Sequence, residues 1–157
     1  MNSSAGNRIA PVSALLARGI NVALGTDGAA SNNRQDAWSE MRIAALLAKV
    51  SSGDPSVVPA QQALHMATLG GARALAMDAA IGSLLPGKQA DIVAVDLTAT
   101  RTLPCYDPLS HLVHVAGREC VTDVWVGGER VVADRALVNA DEAAIAARAR
   151  IWQERLK

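Results

Sequence analysis

Near Met77 the apolar pattern of the chain changes period, and that switch narrows the folds open to it more than any other feature. Before it, helix-like spacing brackets one short run of small apolar residues. After it, short apolar runs are separated by proline–glycine and glycine–glycine pairs. Helix, strand and helix joined by short connections signal α/β architecture. Residues 1–77 are therefore expected to form one unit and residues 78–157 a second, β-rich one closed by a helix.

In the first unit, Pro11 to Ala17 predicts a short helix, with proline in its first turn and Gly19 at its C-terminal cap. Ile20-Asn21-Val22-Ala23-Leu24 predicts a strand buried on both faces. It runs into Gly25-Thr26-Asp27-Gly28 and a polar loop from Ala29 to Asn33. Asp36 to Val50 predicts a helix apolar nearly all round, which expects burial on more than one side. Pro59 opens a further helix that runs to a break at Gly70-Gly71.

In the second unit, Ile81 to Leu84, Pro86-Gly87 and Ala90 to Val95 read as a hairpin-like unit about a type II turn. Val121 to Val126 and Glu129 to Val132 flank Gly127-Gly128, a two-residue hairpin signal. From Asp141 to Leu156 a helix is expected, with Ile145, Ala149, Trp152 and Leu156 in one stripe.

Composition excludes several function classes. The 157 residues are 50% hydrophobic and 19% charged with zero formal net charge, a globular balance without a basic footprint for nucleic acid or an anionic membrane. Aromatic residues at 3% argue against stacking platforms for single strands. Arg148, Arg150, Arg155 and Lys157 read as a solvated helix face. Cys105 and Cys120 form no close pair, so a disulfide framework is not expected and a cytoplasmic location is. Neither a signal peptide nor a membrane-spanning stretch is expected.

Asp27 is the candidate for chemistry. A carboxylate at the C-terminal end of a buried strand lies where α/β barrels place catalytic groups. The flanking glycines would let the backbone turn and a ligand or metal approach. An aspartate that only caps the next turn would look the same in four residues. Ser31, Asn32 and Asn33 are expected to shape the loop through local backbone hydrogen bonds. His65, His111 and His114 read as surface or packed residues, Lys88 as a solvated turn position, and Trp38, Trp125 and Trp152 as packing residues.

The longer context of Asp27 decides between those readings. The run Ile20 to Asn33, Glu40-Met41-Arg42 through Lys49, and Ala67-Thr68-Leu69-Gly70-Gly71-Ala72-Arg73-Ala74-Leu75 resemble the amidohydrolase superfamily. So do Ile81-Gly82-Ser83-Leu84-Leu85-Pro86-Gly87-Lys88-Gln89-Ala90-Asp91-Ile92-Val93-Ala94-Val95-Asp96, Tyr106-Asp107-Pro108-Leu109-Ser110-His111-Leu112-Val113, and Val124-Trp125-Val126-Gly127-Gly128. The likeness is to the methylthioadenosine and S-adenosylhomocysteine deaminases and their triazine-hydrolase relatives, over residues 9 to 156.

That resemblance implies the last strand and flanking helices of a TIM-type metal-dependent hydrolase barrel, then part of a small β-sandwich with a C-terminal helix. It implies that Asp27 binds a divalent metal, expected to be zinc, touches substrate and moves a proton. The metal would lower the pKa of bound water, and the hydroxide would attack the adenine carbon bearing the amino group. It also implies that the family's His-x-His pair, its further histidine ligand and its substrate-binding Glu and His lie in a preceding barrel segment. This chain alone is then expected to be inactive, and either to self-associate or to need that segment over Ile20 to Leu24. A triazine or other purine aminohydrolase or chlorohydrolase is the alternative substrate class. A non-catalytic structural or interaction module is the alternative of another kind. At the start, Asn2 to Arg8 replaces the family's usual Asn-x-Lys-Leu and Ser-Gly.

Overall fold

A computed structural model describes residues 9–156, so the departure at Asn2 to Arg8 lies outside the described residues. Among the described residues six α-helices and four short strands follow one another: α1 Val12–Ala17, α2 Ala37–Ser52, α3 Ala60–Ala67, α4 Leu69–Ala74, β1 Ile92–Val95, α5 Pro108–His114, β2 Val121–Val126, β3 Glu129–Ala133, β4 Ala136–Leu137 and α6 Glu142–Arg155.

The core sits where α2, α3 and α5 meet. Met41, Ala45 and Ala48 of α2, Ala63 and Met66 of α3, and Val113 of α5 are buried together with Val58. Small alanines let the helices approach closely, and Met66 fills the space between them. Val22 and Leu24 pack against this cluster from the segment preceding α2. Arg42 reaches across from α2 to the end of α5, donating to the Ala116 carbonyl at 2.7 Å and the Val113 carbonyl at 3.4 Å. Lys49 donates to the Pro55 and Val57 carbonyls at 2.8 and 2.6 Å, tying the α2–α3 loop back to its helix.

Helix α2 begins where its sequence says it should. Asp36 is 5% exposed and accepts from the Trp38 and Ser39 N–H groups at 3.1 and 3.4 Å and from the Ser39 hydroxyl at 2.8 Å. Gly53, in the left-handed conformation, closes the other end. As expected, this apolar helix is covered on more than one side, since α1, α3 and α5 all pack against it, and a stripe of Ile43, Leu46 and Val50, the last 75% exposed, is left open.

Three expectations for the helical part change. The run Ile20 to Leu24 keeps a strand's alternation of half-buried and exposed residues but is not a strand, because a strand requires a hydrogen-bonded neighbour and the described residues provide none beside it. Its burial is one-sided: Val22 and Leu24 are half-buried while Ile20 is 47% exposed. The break after α3 falls at Thr68, with φ −123° and ψ −95°, and both Gly70 and Gly71 lie inside α4.

The sheet is antiparallel throughout, in the order β1-β2-β3-β4. Ile92 pairs with Trp125 and Val93 with Val124, before a register shift at Ala94. Gly127 and Gly128 both have positive φ, as a two-residue hairpin turn between β2 and β3 demands. The Pro86-Gly87 turn also forms: Gly87 has φ +90° and the Lys88 N–H donates to the Leu85 carbonyl. The expected hairpin around it does not. Residues 81–84 make no strand, and β1 pairs instead with β2. Gly82 explains the fold of that loop. A Cβ there would stand 2.6 Å from the Ala72 side chain, so the loop packs directly on α4.

Side chains in this part depart from expectation too. Lys88 is not simply solvated: its ammonium donates to the Asp78 carbonyl and, at 3.2 Å, to the Ile81 carbonyl. Trp152 is 56% exposed on α6, with the Arg155 guanidinium 5.1 Å from its ring, and packs into no core. No residue of α6 is buried. Cys105 and Cys120 are free thiols, Cys120 being buried.

Candidate functional site

The segment carrying Asp27 is anchored at its base. The Leu24 N–H donates to the Met66 carbonyl at 3.2 Å, and the Asn21 side-chain amide donates to the Gly70 carbonyl at 2.9 Å. Alternation sends Val22 and Leu24 toward the core and brings the chain out at Gly25. Beside it, a cavity of about 200 Å³ runs between α1, residues 22–25 and α2. Ile43, Ala44 and Leu47 form its α2 wall, and Glu40 is its one carboxylate. Asp27 does not line this cavity.

Asp27 itself is exposed, and its backbone is unusual. Its φ is +61°, in the left-handed region that aspartate enters more readily than most side chains. Neither Gly25 nor Gly28 has a positive φ, and a Cβ at either would meet nothing. The sharp turn is therefore made by the aspartate and not by its glycines. Its carboxylate is fixed locally. The Ser31 hydroxyl and the Gly28 N–H, the latter 2.8 Å from Oδ1, hold the carboxyl below the usual carboxylate range. The Ser31 hydroxyl lies 3.1 Å from the Gly28 carbonyl as well, so the turn and the acid share its single donor proton.

The loop that follows behaves as its composition suggests. The Ser31 and Asn32 N–H groups both donate to the Gly28 carbonyl, at 3.0 and 2.9 Å. Asn32 donates through its side-chain amide to Glu40 at 2.7 Å and accepts from the Arg34 N–H at 3.1 Å. These bonds link the Asp27 turn to the first turn of α2.

The histidines stand on helices away from it. His65 is in α3, half-buried, with its Nδ1 buried and without a hydrogen-bond partner. His111 and His114 are in α5. Burial, then the nearby charges of Lys49 and Arg42, push His114 below the usual histidine range. Among the described residues no three His, Cys, Asp or Glu side chains gather as a metal-binding group. A catalytic zinc centre takes three protein ligands, so the described residues by themselves do not fit one. Asn21, which holds the base of the Asp27 segment on the Gly70 carbonyl, has one signal in the sequence, a lone amide inside an apolar run, and Gly70, expected to break a helix, instead lies inside α4 as the acceptor.

No helix among the described residues is long and apolar enough to cross a membrane.

Comparison with known proteins adds to this geometry. A profile of the amidohydrolase family matches residues 1–131. The 5-methylthioadenosine/S-adenosylhomocysteine deaminase of Teredinibacter turnerae is 44% identical over 146 residues, covering 93% of this chain and 33% of the relative. The crystal structure of an adenosine deaminase from Xanthomonas campestris with bound zinc superposes with a TM-score of 0.91 at 48% identity, covering 94% of this chain and 34% of that one. The atrazine chlorohydrolase of Arthrobacter aurescens TC1, complexed with zinc, superposes at 0.82 with 30% identity over 89% of this chain and 31% of its own. The chain thus spans about a third of the length of the proteins it matches. Its α/β fold is that of their corresponding part, and the chain belongs to the amidohydrolase family.

Proposed function

We propose that this chain is the C-terminal portion of a metal-dependent deaminase acting on an adenine nucleoside: methylthioadenosine, S-adenosylhomocysteine or adenosine. The observation that carries the reading is the 48% identity and TM-score of 0.91 to a zinc-bound adenosine deaminase over 94% of the chain. The triazine class is second, supported by 30% identity to the chlorohydrolase. We place the end of the barrel near Met77, with the small β unit following. The organisation then needs a preceding barrel segment as partner, which fits a chain spanning a third of its relatives.

In this reading Asp27 is the chain's contribution to the site, as ligand, proton acceptor and substrate contact. An anionic carboxylate stands exposed on a left-handed turn, with its charge stabilised by Ser31 and Gly28. Non-glycine residues hold that backbone at a cost of roughly 1–3 kcal/mol, and such strain collects at functional sites. Water supplies the oxygen that replaces the amino group, and ammonia leaves. The remaining ligands have to come from the partner segment, since one carboxylate does not complete a zinc centre. The chain alone is accordingly silent, and it belongs to a cytoplasmic enzyme.

The test is a fusion. Residues 9–156 replace the matching third of the Xanthomonas campestris adenosine deaminase, and zinc-dependent ammonia release is measured with the three nucleosides and with atrazine. Turnover of a nucleoside supports the proposal. Because the host segment carries the substrate-binding residues, nucleoside turnover shows that this chain completes a catalytic site, and no turnover by a folded, zinc-loaded fusion refutes the catalytic reading.

A further inference from the structure

We infer that Asn21 and Gly70 are positioning residues, which together set where the Asp27 segment stands on the helical scaffold. The inference rests on the reading of Asp27 given above. The polar contacts fixing Asp27 are all local, to Thr26, Gly28 and Ser31. Its place in space is therefore inherited from the base of its segment, and three contacts define that base.

The first is the Asn21 side-chain amide on the Gly70 carbonyl, 2.9 Å apart and 49 residues distant in sequence. The second is the Leu24 N–H on the Met66 carbonyl at 3.2 Å. The third is the absence of a side chain at Gly70. A Cβ there would stand 2.8 Å from the Val22 carbonyl oxygen and 3.0 Å from that of His65, both backbone atoms with little freedom to give. Gly70 is held beneath Val22 while its carbonyl takes the amide of the neighbouring Asn21. The break at Thr68 separates α3 from α4 between the two acceptor carbonyls, Met66 and Gly70. Only Gly25 and Thr26 separate the anchored Leu24 from Asp27. A shift at the base is carried to the carboxylate, and a misplacement of about 1 Å can cost about a hundredfold in rate.

The test uses Asn21→Asp, which keeps the shape and removes the donor, and Gly70→Ala, which forces Val22 away. In the full ¹⁵N-labelled chain, Asn21→Asp is expected to speed hydrogen exchange at the Leu24 amide about tenfold or more, while the Met41 to Ala48 amides of α2 keep their protection. In the fusion, the same substitution is expected to lower kcat by about ten- to a hundredfold and to change KM by less than about threefold. Unchanged Leu24 exchange, or an undiminished kcat, overturns the inference. If Gly70→Ala does not fold, Asn21→Asp decides alone. An Asp27→Asn fusion that retains turnover would sink the role of Asp27 instead, and the exchange measurement would still judge Asn21 and Gly70.

Discussion

Replacing Asp36 by alanine should destabilise the chain by about 2–3 kcal/mol, and the loss should depend on pH. The carboxylate is nearly inaccessible and serves four groups: the Trp38 and Ser39 N–H groups, the Ser39 hydroxyl and the Arg34 guanidinium. A capping side chain contributes about 0.5–2 kcal/mol, and hydrogen bonds to a charged group about 1.5–3 kcal/mol, with overlap between the two. Arg34 is largely exposed and adds little. Burial opposes ionisation most strongly of any single influence. The Ser39 hydroxyl, the Ser39 and Trp38 N–H groups and Arg34 together outweigh it and lower the Asp36 pKa.

A lowered folded-state pKa stabilises fully above the unfolded value of about 3.9 and is lost as pH falls through the folded value. Urea unfolding at pH 7 should show a midpoint lower by about 1 M, given a slope of roughly 2–3 kcal/mol per molar. The gap between wild type and variant should narrow below about pH 4. A loss under about 0.5 kcal/mol, the low end for a cap, or one independent of pH, would refute the assignment of Asp36 as a buried, ionised cap.

Other consequences are as direct. Met66→Ala, at a fully buried site between α2, α3 and α5, should cost about 2–5 kcal/mol in the same assay. Gly82→Ala combines a left-handed φ of +86° with a clash on Ala72, and should cost more than the roughly 1 kcal/mol of the backbone effect alone. Light scattering of the purified chain should show association, because Ile20 to Leu24 has no strand beside it among the described residues and α6 buries nothing; a monodisperse monomer at high concentration would contradict this.

What could be read in advance followed from local chemistry. Asp36 and Asp141 mark helix starts through their own side chains, and α2 and α6 begin where those residues put them, although α2 runs past the expected Val50 to Ser52 before Gly53 closes it. Pro86-Gly87 and Gly127-Gly128 specify turns in the same way. What depended on partners was not legible. Ile20 to Leu24 has strand composition, yet pairing is a property of two segments. Helix α5 carries a clear Asp107–Pro108 start, but its seven residues are too short for a helical period to stand out in the sequence. The Asp134–Arg135 turn into β4 uses two residues with positive φ and no glycine. It is held by the Asp134 N–H on Asp123 and by Arg135 on Asp96, contacts from far along the chain. Asp27 was identifiable as a residue. That its own backbone makes the turn was not, because the adjacent glycines drew the inference to themselves.

The claim that Asp27 is this chain's share of a deaminase site is tested most directly by zinc content and turnover measured together in the fusion. With Asp27 intact, one zinc per chain and release of ammonia from an adenine nucleoside are expected. With Asp27→Asn, the fold should persist, since the side chain is exposed and bonded only to its own turn. Turnover should fall by about a hundred- to ten-thousandfold, the range for a lost acid–base group, and zinc should bind more weakly. Full zinc occupancy and near-normal turnover in Asp27→Asn would contradict the account.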